Sequence, residues 1–356
     1  MVNVLEITRR KINNIYFRIH RSGKNLQKKQ PKKCVPDLTV VVPTYNRSIL
    51  LIKGIEYNSI FSGSKKAVID DYSNKENREM LREYSSNDRE NVYYFKSENM
   101  GVGHSLTIAK DLVYSKYVSF CGDDDIVIIN DYENLIEEMS RIGNDYSVLV
   151  PRHMFFLYKG NRLKMGYDRK SYDSSSGEDA IRTFFSNKGI SGLFAGSVFL
   201  SGNLSGNLVD PLFTVAEDHV FLLRFFDKYP RKKIKVSSNF SYIRRMSDTS
   251  LSKTIDQYKL FLCFLAELVN IYYCKKYALF GDEDLKKYVV KSASRLLIFE
   301  KDPSSIINTT LGYLYGQLPF SSFFDLFRSL LNERGKCAND LPEECSKLYN
   351  LFRGEL

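Results

Sequence analysis

Three polar clusters each follow directly on a short apolar run: Pro43-Thr-Tyr-Asn-Arg47, Asp70-Asp-Tyr-Ser73 and Gly122-Asp-Asp-Asp125. A solvated turn explains any one of them, since Asp, Asn and Ser are common turn residues. If the three runs are parallel strands, however, the clusters meet at one edge of a sheet, where such sheets bind ligands. The successive carboxylates Asp123, Asp124 and Asp125 repel one another when crowded, and a cation relieves that repulsion. Mg2+ or Mn2+ is the natural choice, because hard divalent ions are held by one or two carboxylates together with substrate phosphates. A further acidic pair, Glu217-Asp218, opens a helical stretch that runs on to Arg224. A carboxylate there serves as a cap and dipole partner or as a general base.

The elements that must position these groups begin at Pro36. Apolar β runs at 38–42, 67–69, 91–95 and 117–120 are separated by helical stretches near 47–60, 75–86 and 103–114. Continuous apolar strands alternating with helices predict an α/β domain whose parallel sheet is covered on both faces. Beyond 145 the pattern is less regular, with strands expected at 146–150, 153–158 and 240–245 and helices at 177–187 and 218–228. From Leu251 on the chain reads as helical, at 255–276, 283–300, 304–316 and 321–332. Leu260–Leu265 is apolar around the whole helix and needs burial. The organisation expected is an arm at 1–36, the α/β domain at 37–250 and a helical region at 251–356.

Composition narrows the function classes. The 356 residues carry a net charge of +10, which at first suggests nucleic acid. Yet residues 1–36 hold ten Lys and Arg against the single acid Glu6, so the body is nearly neutral and no nucleic-acid partner is expected. In 4–19 the apolar Val4, Leu5, Ile12, Ile15, Tyr16 and Ile19 share one helical face. Such a helix can lie on an anionic membrane, each basic residue contributing about 1 kcal/mol, or it can be a solubilising arm or dock on a partner subunit. The six cysteines form no CxxC pair and read as free thiols in a reducing cytosol. No signal peptide is recognisable. The longest mostly apolar run, Leu260–Cys274, contains Glu267 and Asn270 and falls short of the roughly 18 residues that a spanning helix needs.

Taken together, Thr39-Val-Val-Val-Pro-Thr-Tyr-Asn-Arg47, Val68-Ile-Asp-Asp-Tyr-Ser73, Asn99-Met-Gly-Val-Gly103 and Phe120-Cys-Gly-Asp-Asp-Asp125 resemble glycosyltransferase family 2 in order and spacing. The resemblance is strong over about 37–126 and weaker to about 252. It implies the GT-A fold, a nucleotide-sugar donor (most often a UDP-sugar), Mn2+ or Mg2+, and a glycan or lipid-linked acceptor. By the same resemblance Pro43, Thr44, Tyr45 and Asn46 line the nucleoside pocket and Asp71 hydrogen-bonds the base. Asp123 contacts the ribose side, Asp124 coordinates the metal, and Asp125 stands in the variable third position of the metal group. The Glu217-Asp218 pair matches the family's acceptor-side acids, with Asp218 the general base and Glu217 the alternate, and Gly192–Gly196 contributes to the acceptor pocket. The implied setting is bacterial capsule, lipopolysaccharide or other surface polysaccharide synthesis, in the cytosol at the membrane face. Two departures stand out: Leu106-Thr107 replaces an Arg-Asn pair that many relatives carry, and Met246 falls where many carry a His. Arg244, Arg245 or Asp248 would take over that His's role, unless the role is lost.

Other readings fit less well. Gly101-Val-Gly103 is not a dinucleotide fingerprint, because Leu106 occupies the third glycine position and the element follows the third strand. No GxxxxGK[ST] motif occurs. The histidines His20, His104, His153 and His219 are too dispersed for a zinc site or a triad. The Tyr and Phe residues are spread along the chain as core. A sugar nucleotidyltransferase would carry a Gly-rich loop where Pro43–Arg47 stands. A non-catalytic membrane-associated subunit with the same fold remains the second alternative.

Overall fold

The computed structural model describes residues 35, 37–56, 60–61, 63–158, 162–185, 193–204, 208–246 and 257–281. The helices expected at 4–19, 283–300, 304–316 and 321–332, and Asp248, lie outside the described residues.

The apolar runs form the expected strands: β1 (Leu38–Thr44), β2 (Lys65–Asp70), β3 (Val92–Phe95) and β4 (Tyr117–Phe120). They continue with β5 (Ile126–Ile129), β6 (Tyr146–Tyr158), β7 (Arg162–Asp168), β8 (Val198–Leu200) and β9 (Lys233–Arg245). The nine strands form one sheet in the order β3-β2-β1-β4-β8-β6-β9-β5, with β7 paired to β6. β1 pairs in parallel with both β2 and β4, and β2 with β3. β8 runs antiparallel to β4 and β6, β6 and β9 are parallel, and β5 closes antiparallel to β9. The chain thus winds outward from β1 to β3 and returns to the other side of β1 for β4. That reversal opens a crevice beyond the carboxyl ends of β1 and β4.

Alternation along β1 explains the layers, since successive side chains point to opposite faces. Val40 and Val42 join a cluster with Leu51, Leu81 and Leu135, from α1 (Ser48–Glu56), α2 (Lys75–Asn87) and α4 (Tyr132–Ser140). Here α3 denotes Gly101–Leu112, α5 Gly177–Thr183, α6 Glu217–Lys228 and α7 Gln257–Lys276. Val41 faces the opposite cluster, where Leu106 of α3, Ala180 of α5, Phe221 of α6 and Leu265 of α7 are buried. This is the expected α/β architecture, one sheet with helices on both faces. α7, the described part of the C-terminal helical region, shares its core with α6. Among the described residues no helix is long and apolar enough to cross a membrane.

Several elements depart from the sequence reading. The strands expected at 146–150 and 153–158 are one strand, β6, which continues through Pro151 with a register shift between Pro151 and His153. Proline lacks the N–H that a regular ladder needs, and the irregularity accommodates it. β5, β7, β8 and α4 were not anticipated.

Candidate active site

The first wall of the crevice consists of two turns tied to each other. Past the end of β1, Asn46 adopts φ +56, and past the end of β2, Tyr72 adopts φ +63. The Asp71 amide donates to the Thr44 carbonyl (2.9 Å), the Asn46 amide to Ser73 Oγ (2.8 Å) and the Asn74 amide to Asn46 Oδ1 (2.7 Å). Tyr45 and Tyr72 stand out from these turns, 43% and 48% exposed. Asp71 is buried and fully engaged. Its Oδ1 accepts from Lys96 Nζ and from the Met100 amide (3.0 Å), and its Oδ2 accepts from the Gly101 amide (2.9 Å). A carboxylate at this position satisfies orphan donors at the start of α3 and meets the positive end of its dipole. Asp70 is buried too, accepting from the Ser73 amide at 3.3 Å and facing Arg78 Nε at 3.4 Å.

The second wall is the acidic loop after β4. Asp123 accepts from Thr44 Oγ1 (2.8 Å), so the loop is joined to the end of β1. Arg47 Nη1 lies 3.3 Å from both Asp123 Oδ1 and Asp124 Oδ2. Asp125 turns to β9, its Oδ2 accepting from the Tyr242 hydroxyl and its Oδ1 from the Arg245 amide (2.9 Å). Burial, then the charge of Asp124, pushes Asp123 up to about 7 and Asp125 up to about 6. Burial by itself would lower the Arg47 pKa, but the charges of Asp123 and Asp124 raise it. The donor set is all oxygen, carries more negative charge than one arginine neutralises, and already holds a cation in Arg47. It fits a hard divalent ion. Among the described residues no three His, Cys, Asp or Glu side chains are grouped to hold a metal alone, so an ion here would complete its shell with ligand phosphates.

The third component is the start of α6. Ala216 precedes it in the left-handed region (φ +60) and provides no side-chain cap. Asp218 Oδ1 instead accepts from the His219 amide (2.9 Å). Burial, and after it the negative charge of Asp218, pushes Glu217 up to about 8, and Arg244 opposes that rise. Arg244 also acts on Asp125, so one exposed guanidinium on β9 influences both acidic groups. A main-chain contact ties this component to the first wall. A Cβ on Gly103 would meet the Phe213 carbonyl oxygen at 2.1 Å, so only glycine allows α3 to lie against the segment leading into α6. Gly101, at φ +84, makes the turn before it.

The sequence model of Glycosyl transferase family 2 matches residues 39–193, a span containing both turns and the acidic loop. Residues 39–193 are similar to a glycosyltransferase family 2 domain. An uncharacterized glycosyltransferase of Methanocaldococcus jannaschii is 28% identical over 134 residues, 36% of this chain and 46% of that protein, so the chain matches about half of that relative's length. GalNAc(5)-diNAcBac-PP-undecaprenol beta-1,3-glucosyltransferase of Campylobacter jejuni is 25% identical over 246 residues, 67% of this chain and 74% of that protein. Among solved structures, S. aureus TarS 1–349 in complex with UDP-GlcNAc superposes with a TM-score of 0.49 at 16% identity, covering 89% of this chain and 87% of that one.

Within the matched span, Pro43, Thr44, Tyr45, Asn46, Asp123, Asp124 and Asp125 come together at the ends of β1 and β4. Asp71 lies on the adjoining turn with its oxygens taken up by protein donors. Asp125 is anchored to β9. Glu217 and Asp218 lie beyond the matched span, and the charge of Arg244, which acts on both Glu217 and Asp125, links them to the acidic loop. Of the Gly192–Gly196 segment, Gly192 is outside the described residues, while the Gly196 amide donates to the Phe120 carbonyl (2.8 Å). His219 packs edge-on to Phe184 (5.6 Å between centroids), and His104 Nδ1 is buried without a hydrogen-bond partner. Met246 continues the ladder, its amide donating to the Leu157 carbonyl at 2.8 Å. The sequence reading gave no role to Arg47, Lys96 or Tyr242. Arg47 stood at the end of the first motif, and an acidic loop without a nearby basic residue in sequence was the available signal for it; Tyr242 lay in the strand expected at 240–245, with no signal linking it to the loop.

Proposed function

We propose that the chain is a metal-dependent, inverting glycosyltransferase that moves a sugar from a nucleotide-diphosphate sugar, foremost a UDP-sugar, to a hydroxyl of a glycan or lipid-linked acceptor. The observation that carries this reading is the junction of acidic loop and nucleoside turn through Thr44 and Arg47. It puts carboxylates beside the crevice where α/β sheets bind nucleotides. Pro43, Thr44, Tyr45 and Asn46 take the nucleoside and Asp123 the ribose side. Asp124 would hold the metal, with Asp125 fixing the loop on β9 beside it. Mn2+ or Mg2+, once bound there, would neutralise charge on the departing diphosphate.

Asp218 serves as the general base, accepting the acceptor hydroxyl's proton as that oxygen attacks the anomeric carbon. Glu217, held protonated at neutral pH by its raised pKa, keeps a donor beside it, in the manner of paired acids whose environments separate their roles. The exposed Arg244 pairs with diphosphate oxygens and takes the place of the family's His. The undecaprenol-linked substrate in the Campylobacter relative's name supports a lipid-linked acceptor in surface polysaccharide synthesis. The basic arm supports work at the cytosolic face of the membrane.

Hydrolysis and binding of UDP-, GDP-, CMP- and dTDP-sugars, with and without Mn2+, tests the reading in the wild type and in Asp124→Ala. Metal-dependent turnover of one donor, lost in the variant, is the expected result. No binding of any donor under any metal condition would leave the non-catalytic subunit as the better account.

A further inference from the structure

Asp71 is held by Lys96 and the Met100 amide on Oδ1 and by the Gly101 amide on Oδ2. The next residue is the anomaly. Tyr72 is a bulky aromatic at φ +63, in a region that favours glycine or asparagine and costs other side chains energy. Nor is the ring repaid by burial, for it is among the exposed large hydrophobics at 48%.

What holds the ring is a cation behind it. The Arg78 guanidinium lies 5.1 Å from the ring centroid and is itself fixed, with Nη2 donating to the Lys96 carbonyl (2.9 Å) and Nε 3.4 Å from Asp70 Oδ2. One face of Tyr72 is therefore backed by a positioned charge, and the ring remains half open to solvent. Its turn is bonded to the Thr44–Asn46 turn, which carries the second exposed ring, Tyr45.

We infer that Tyr72 is a platform for the donor's nucleobase, stacking on it from the β2 turn, and that Arg78 is the residue positioning that ring. The inference rests on the reading of the crevice as a nucleotide-sugar site. Aromatic stacking tolerates any base, so Tyr72 supplies affinity for the base while leaving its identity to polar groups.

The test is calorimetric titration of the full chain with UDP, GDP, CDP and dTDP in the presence of Mn2+, with Mn2+ and inorganic pyrophosphate as the base-free probe. Tyr72→Asn removes the ring and suits the left-handed backbone, Tyr72→Gly is a second ring-deleting variant, and Tyr72→Phe keeps the ring. The wild type is expected to bind one of the four nucleotides. Both ring-deleting variants should weaken it by about tenfold, leave pyrophosphate unchanged and melt at or above the wild-type temperature, while Tyr72→Phe stays within about twofold. Unchanged nucleotide affinity in Tyr72→Asn and Tyr72→Gly, or an equal loss for pyrophosphate, overturns the platform and spares the nucleotide reading. A wild type that binds none of the four removes that reading and this inference with it.

Discussion

The two acidic groups of the crevice are held in opposite ways. At the β1–β4 edge nearly every buried carboxylate has a positive or hydrogen-bonding partner: Asp70 with Arg78, Asp71 with Lys96, Asp123 with Thr44 and Arg47, Asp125 with Tyr242. At the start of α6 no positive partner among the described residues balances the pair, and Glu217 is raised to about 8 by burial and then by the charge of Asp218, with Arg244 opposing from β9. In the proposed reading, the first arrangement fixes charges where a ligand's charges would be met, which is how preorganised sites avoid rearranging when occupied. The second would keep a proton available in a pair of acids, as acid-base chemistry requires.

The sharpest way to break this contrast is to remove the acid assigned to proton transfer. Asp218→Asn should lower turnover by about 10²–10⁴-fold with donor affinity unchanged, in steady-state kinetics paired with calorimetry. A larger loss from Glu217→Gln would exchange the two roles. Next in size, Lys96→Met leaves Asp71 buried without its cation and should cost about 3 kcal/mol of stability, measured by urea denaturation. A loss near zero would show the donor edge to be less tightly compensated than its ion pairs imply.

The smallest effect concerns pH. The Glu217 carboxyl is raised from its ordinary 4.5 to about 8, so the folded state binds more protons than the unfolded state between those values. Its stabilising contribution is complete below the lower value and is lost as pH rises through the upper one. Glu217→Gln should therefore flatten the alkaline fall in stability, by about 2 kcal/mol between pH 5 and pH 9 once its partial exposure is allowed for. Identical wild-type and variant curves would mean that Glu217 is not the protonated member of the pair.

How far the sequence carried the argument depended on the range of each interaction. β1, β2 and β4 were legible because strands buried on both faces read as unbroken apolar runs, and the motifs at their ends followed. β8, with only three residues, and β5, which starts directly after the acidic loop, were too short to produce a period. β6 was divided in two by Pro151, a local signal overridden by pairing with β9. The ties of Asp125 to Tyr242 and of Asp71 to Lys96 span long or unpatterned separations, and only the folded register brings those side chains together. The left-handed Tyr72 could not be anticipated either, because the residue type argues against the backbone it adopts.

Gly103 against the Phe213 carbonyl has a wider consequence. The turn that Asp71 caps and the segment leading to Glu217 meet atom to atom through main chain, so no side chain acts as spacer between the two ends of the crevice. The separation between where a donor's base would rest and where a proton would be taken is thus a fixed gauge of the scaffold. Phe213 is buried in the core and Asp210 pairs with Arg224, so only the outward side chains of 210–216 can diverge without altering that gauge, and the reach of the reaction stays the same as they do.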